Sequence, residues 1–278
     1  MPRSTVEVVL EYDVLAPAHF CFNIEAAQLP GQTLLSERLA VSSGVSVHGF
    51  NDALEGNRFI RFEAPVGPLM VNYQADVMLE PQPVPEDLDE VPVHQIPDPV
   101  LRYLMPTRFC ESDALSRAAQ QLFGHLPPGM GRIRAVEQWL RNSITYLPGS
   151  TGPMTTARDV FVQRAGVCRD FAHLGITLCR ALNVPARLVV GYVWFDEPPQ
   201  DFHAMFEAWL GGRWVLFDPT GMAQPERLVR IGTGSDAKDV AFSTIYGAVN
   251  MTRMEIFVNE RDRETQLRVQ AELLAEDA

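Results

Sequence analysis

Between residues 5 and 80 the apolar positions recur with period two. Residues 5–12 (TVEVVLEY) and 57–63 (NRFIRFE) put an apolar side chain on every second position, as half-buried strands do, and residues 69–78 read as a further strand. Gly, Asn and Asp clusters at 49–57 and the Pro-Val-Gly-Pro run at 65–68 supply turns. No helical stripe of ten residues interrupts this stretch. It therefore reads as a β-rich N-terminal domain over 1–80, a small antiparallel sandwich.

Residues 81–100 form a connector. The run EPQPVPEDLDEVPVHQIPDP that spans it carries six prolines and six acids with no Lys or Arg. Proline blocks helix interiors and cannot donate to a sheet, so an extended segment is expected here, with no chemistry assigned to it. From 101 to 278 the period changes. Leu115, Ala118, Leu122 and Phe123 lie on one helical face behind Ser112, a candidate cap, and Gly124 stops the run. Ile133, Val136, Leu140 and Ile144 form a second stripe. Thr156-Ala157-Arg158-Asp159 is a capping-box pattern for a short helix ending near Gly166. The next helix carries Cys168, Phe171, Leu174, Gly175, Leu178 and Leu182 and must stop before Pro185.

Period two returns at 187–195, 203–210 and 213–220, with a last strand-like run at 254–258. The charged tail from Glu260 reads as a surface helix or a frayed end. Helices followed by antiparallel strands make this half α+β. Gly211-Gly212 between two of the strands is a two-residue hairpin signal, and it sets a register. If Leu210 pairs with Arg213, Met205 lies opposite Asp218. His203 and Asp218 are then diagonal neighbours on one face, with Cβ atoms up to ~7–8 Å apart. A slip of one residue would put them on opposite faces.

That contact matters because of Cys168. It follows a glycine and opens a helix, where unpaired N–H groups and the dipole favour a thiolate. Arg169 adds positive charge and Asp170 partly opposes it. With His203 as base and Asp218 as its orienter, the three residues have the makings of a nucleophilic triad. Each alone has a duller reading: a small buried thiol, a strand histidine with a satisfied hydrogen bond, an end-of-strand turn residue. Their joint geometry outweighs those readings. Cys179 reads as core, and His173, five residues past Cys168, points well away from the thiol. His94 and His125 lack a locally placed acid, and Glu207 lies too far along the strand to orient His203 better than Asp218.

Composition narrows the class. A net charge of −12 disfavours binding to nucleic acid or to an anionic membrane. The N-terminus lacks a signal-peptide pattern and no apolar run reaches membrane length, so a cytoplasmic location is expected. The four widely spaced cysteines are then free thiols. No zinc-type spacing, P-loop or dinucleotide fingerprint is present, so neither a metal nor a cofactor is expected.

The runs GVCRDFAHL at 166–174, DFHA at 201–204 and FDPT at 217–220 resemble bacterial transglutaminase-like candidate cysteine proteases. The flanking runs YLMPTRFC at 103–110 and GSDAKDVAF at 234–242 resemble that family too, as does the β-rich N-terminal domain. The resemblance implies a papain-like, transglutaminase-like core over 101–278. It also implies acyl transfer from a peptide or protein amide through a thioester. On this reading the protein is a cysteine-dependent amide hydrolase or peptidase, with Cys168, His203 and Asp218 catalytic. The alternatives are a protein-glutamine acyltransferase or deamidase, which differs only in what resolves the thioester, and a non-catalytic module that retains the fold. The Cys168 backbone N–H is the expected oxyanion donor, with Gln163 and Tyr146 as candidates for a second.

Overall fold

The computed structural model describes residues 2–42 and 44–260. Strands β1 (Arg3–Val14), β2 (Ala18–Phe22), β3 (Gln32–Val41), β4 (His48–Asn51), β5 (Arg58–Ala64) and β6 (Gly67–Leu79) come first. Then follow α1 (Asp98–Leu101), α2 (Ser116–Phe123), α3 (Met130–Ser143), β7 (Thr145–Tyr146), α4 (Ala157–Gln163), β8 (Ala165–Gly166) and α5 (Cys168–Ala181). The chain closes with β9 (Ala186–Tyr192), β10 (His203–Leu210), β11 (Arg213–Phe217), β12 (Val229–Gly234), β13 (Ser243–Tyr246) and β14 (Val249–Glu260). The mixed fold with antiparallel main sheets agrees with the α+β expectation.

The sandwich has two four-stranded sheets, ordered β14-β1-β6-β3 and β13-β2-β5-β4. Its interior follows from the alternation: Val6, Val8, Leu10 and Tyr12 of β1 face inward against Phe20, Phe22 and Phe62. Those three phenylalanines stack on one another with centroids 5.3–5.8 Å apart. β13 and β14, from the stretch expected to be catalytic, return to complete both sheets of the sandwich. That pairing joins residues more than 180 apart in sequence, so no local pattern announces it. The 254–258 run lies inside β14, and the tail expected beyond Glu260 lies outside the described residues.

In the second half the sheet order is β11-β10-β9-β12. α5 lies across this sheet, and the approach is close at Gly175, where a Cβ would come within 2.8 Å of the Phe206 ring. Ile133, Val136 and Leu140 of α3 join α5 in the same apolar cluster. Thr156 caps α4 as expected, trading hydrogen bonds with Asp159. Ser112 does not cap α2: the backbone makes turns through 112–115, and the helix starts at Ser116 with no side-chain cap. β9 ends at Tyr192, three residues earlier than its apolar pattern, because the chain leaves the sheet toward the 193–202 loop.

The connector is fastened rather than free. Leu88 O accepts from Met130 N and Asp89 O from Gly211 N, both at 2.8 Å. Glu90 accepts from Gly129 N and pairs with Arg132. The two halves also share a core, since Tyr192, Val229 and Ile231 belong to the sandwich cluster and the Tyr192 hydroxyl donates to Ile24 O at 2.6 Å. Among the described residues no helix is long and apolar enough to cross a membrane.

Candidate active site

Cys168 is the first residue of α5. Val167 precedes it in extended conformation and has no side-chain acceptor, so the first turn is held from the other direction. The Asp170 carboxylate accepts from Val167 N at 2.9 Å and from the Thr151 hydroxyl at 2.5 Å. A buried carboxylate in the first turn suits the positive end of the helix. Gly166 is required beside it, because a Cβ there would lie 2.8 Å from the Asp170 Cβ. Arg169 turns to Asp170 at 2.7 Å and to Gly152 O at 2.9 Å, so its charge is neutralised locally instead of facing the thiol.

The hairpin has the register that its glycines dictate. Leu210 pairs with Arg213, and the ladder runs to Phe206 opposite Phe217. Gly211 and Gly212 both have positive φ, at 54° and 79°, which a type I′ turn needs. Asp218 lies one residue past the ladder. His203 and Asp218 are both buried, and His203 Nε2 is 3.3 Å from Asp218 Oδ1, an ion-pair distance short of an aligned hydrogen bond. The Asp218 carboxylate is otherwise well held: Oδ1 accepts from Thr220 N and Oγ1, and Oδ2 accepts from Ala223 N.

Cys168 reaches the same place from the helix side. Its sulfur lies 3.7 Å from Phe202 O, the residue before His203. Burial disfavours the protonated ring, yet Asp218 and then Cys168 outweigh it and raise His203 to about 10. Asp218 shows the reciprocal effect: burial pushes its carboxyl up, but His203 holds it below the usual range. Since Nε2 faces Asp218, Nδ1 is the ring nitrogen left for the thiol. The three predicted residues therefore meet, brought together by α5, β10 and the turn after β11.

Of the two side chains considered as second oxyanion donors, one stands at the site. Tyr146 in β7 pairs in parallel with Gly166 in β8, two residues before the cysteine, and its ring tilts over Phe171 at 6.0 Å. Its phenol is raised, by burial first and then by Cys168. Gln163 is exposed and donates to Ala165 O at 2.8 Å, away from the thiol. Asp201, which sequence reasoning passed over, is exposed two residues before His203 and accepts from Phe202 N at 2.7 Å. Desolvation pushes its carboxyl up, and the neighbouring Phe202 N–H and His203 oppose that.

The competing residues have other duties. Cys179 and Cys110 are fully buried, and burial drives both thiols up, Cys110 to about 12. His173 is buried under a parallel Phe109 ring, accepts from Ala237 N at 3.1 Å, and is lowered by burial to about 4. His94 and His125 are exposed. Glu207 sits between Arg187 at 2.7 Å and Arg230 at 2.5 Å. The two flanking runs also meet. Asp236 accepts from Phe109 N at 3.0 Å, and the buried Arg180 of α5 donates to Met105 O and Ser235 O.

Comparison with known proteins agrees with this architecture. Residues 116–219 match the transglutaminase-like superfamily, and residues 3–99 match the bacterial transglutaminase N-terminal domain. The fold superposes on a candidate cysteine protease from Cytophaga hutchinsonii with a TM-score of 0.90 and 36% identity, covering 93% of this chain and 90% of that one. An uncharacterized protein of Mycobacterium leprae is 35% identical over 138 residues, 45% of this chain and 48% of its own. A protein-glutamine gamma-glutamyltransferase of Pseudomonas aeruginosa is 32% identical over 94 residues, 30% of this chain and 14% of its own. The matched stretch thus spans about half the length of the mycobacterial relatives. With both halves matched, and in the order the sandwich and the Cys168 helix require, the chain belongs to the transglutaminase-like superfamily.

Proposed function

We propose that this protein is a cysteine-dependent amide hydrolase acting on peptides or proteins through a Cys168–His203–Asp218 triad. The observation that carries the reading is the convergence just described: a helix-opening thiol lies against Phe202 O, beside an imidazole whose Nε2 is 3.3 Å from a buried carboxylate. His203 Nδ1 takes the thiol proton, and the sulfur attacks the amide carbonyl. The oxyanion is received by the Cys168 N–H and the Tyr146 hydroxyl. The imidazolium then protonates the leaving amine as the C–N bond breaks, leaving a thioester. Water, deprotonated by His203, adds to the thioester, releases the acid and restores the thiol. Asp218 holds the ring in the tautomer that frees Nδ1 and stabilises its charged form.

The test is a peptide library offered to the wild type and to Cys168→Ala, alongside alkylation of Cys168 by iodoacetamide across pH. Cleavage lost in Cys168→Ala, and alkylation of Cys168 that is fast only with His203 present, are the expected results. Alkylation of Cys168 whose rate and pH dependence are indifferent to His203→Ala would sink the triad.

A second reading is transfer to an amine instead of water, or deamidation at glutamine. The resemblance to the Pseudomonas aeruginosa glutamyltransferase over 94 residues favours it. Supplying a primary amine with a glutamine peptide and weighing the products separates the two, because only transfer adds the amine's mass. The proposal includes a cytoplasmic setting, on the ground that all four cysteines are free. Recovery of the native protein outside the cytoplasm on cell fractionation would overturn that part.

A further inference from the structure

Asp218 lies beyond the last ladder pair of β11, so strand hydrogen bonds do not fix it. Its carboxylate is held by Thr220 and Ala223, as described. Its backbone carbonyl is held separately, by Gly221 N at 3.2 Å and by Arg141 Nη2, which reaches across from α3 at 2.7 Å. The same guanidinium bonds Glu137 Oε1 at 2.8 Å, one turn back on α3. Glu137 is buried, its side chain 6% exposed, and also meets Arg134 at 3.3 Å. Gly221 has φ of 71°, and a Cβ there would lie 3.1–3.2 Å from the Arg141 guanidinium. The turn and the guanidinium are thus packed against each other.

We propose that Arg141 is a positioning residue: braced by Glu137, it pins the main chain at Asp218 so that the carboxylate faces His203. The proposal rests on the triad reading. Its physical basis is leverage. A peptide plane that is free to tilt at Asp218 moves the carboxylate relative to the ring, from which it stands 3.3 Å away. A displacement of ~1 Å in such a group costs about 10²-fold in rate. The duller reading is an ordinary i,i+4 ion pair on a helix surface, whose loss changes almost nothing. Two features separate the cases: the reach to a carbonyl 77 positions away, and a buried carboxylate serving as the brace.

The experiment uses the full chain and three variants, Arg141→Gln, Arg141→Lys and Glu137→Gln. The rate of Cys168 alkylation by iodoacetamide is followed across pH, with turnover of a cleaved peptide. A loosened Asp218 raises His203 less, so the alkaline step that reports the imidazolium should move down by about one pH unit in Arg141→Gln. kcat should fall about 10-fold or more with KM within twofold, and Arg141→Lys should recover part of both. Glu137→Gln should shift the step the same way by less, and it carries the test if Arg141→Gln does not fold. A purely structural role would lower the melting temperature and leave the alkaline step where it is, which overturns the proposal. His203→Ala keeps the two hypotheses apart. If it abolishes the step while the Arg141 and Glu137 variants leave it in place, only the positioning role falls; if it leaves the step unchanged, the triad falls.

Discussion

His203 and Asp218 stand 3.3 Å apart because of the Gly211-Gly212 turn that lies between them in the chain. Gly211 and Gly212 set the pairing of Leu210 with Arg213, and each pair after that follows by counting. Replacing Asp218 with Asn keeps the shape and removes the charge that favours imidazolium, so kcat should fall on the order of 10²–10⁴-fold. Stability should change with pH in a defined way. His203 is raised from 6.5 to about 10, so its share is complete below 6.5 and fades as pH rises through 10. Asp218 is lowered from 3.8, so its share is present above that value and fades as pH falls through its depressed folded value. Thermal melts of wild type and Asp218→Asn should therefore differ most between about pH 5 and 6.5 and converge toward pH 10.

Tyr146→Phe preserves the ring against Phe171 and deletes only the hydroxyl beside Cys168. Loss of one oxyanion donor should lower kcat on the order of 10²–10³-fold with little change in KM. Steady-state kinetics on a cleaved peptide measures this, and an unchanged kcat would remove Tyr146 from the mechanism.

Glu207 is buried between Arg187 and Arg230 with its side chain 2% exposed. Burial pushes its carboxyl up, but the two guanidiniums win and hold it below the usual range. Glu207→Gln leaves two cations facing each other without the anion. Breaking a buried pair this way costs about 3–5 kcal/mol, so the melting temperature should drop by roughly 10 °C. Scanning calorimetry near neutral pH checks it.

His173 predicts an acid weakness. It stays neutral in the fold down to about 4, whereas the unfolded chain takes up the proton near 6.5. Between those values the unfolded state binds more protons, so stability falls as pH falls, by on the order of 3 kcal/mol across the window. Urea unfolding at pH 7 and pH 4.5 should show that slope in the wild type. His173→Gln, which does not titrate, should lack that part of it.

Much of the site was legible because its signals are local. A helix-opening cysteine after a glycine, and a Gly-Gly turn that sets register, need only neighbouring residues and a period. The strands at 57–63 and 69–78 and the Thr156 capping box were readable for the same reason. Ser112 misled because a good capping residue competes with other turns, and here the chain turns through 112–115 before the helix begins. Arg169 misled because adjacency suggested a charge near the thiol, whereas its side chain is spent on Asp170 and Gly152 O.

The sequence by itself determined periodicity, the hairpin register and so the His203–Asp218 face, and the placing of Cys168 at a helix start. These follow from covalent geometry over a few residues. Only the tertiary structure decided which elements meet. It brought β13 and β14 back to the first six strands, set Tyr146 beside Cys168 through the β7–β8 pair, and sent Arg141 across to the Asp218 carbonyl. Such contacts join residues 20 to more than 200 positions apart. Burial and close packing select them from many pairings that the local pattern leaves equally open.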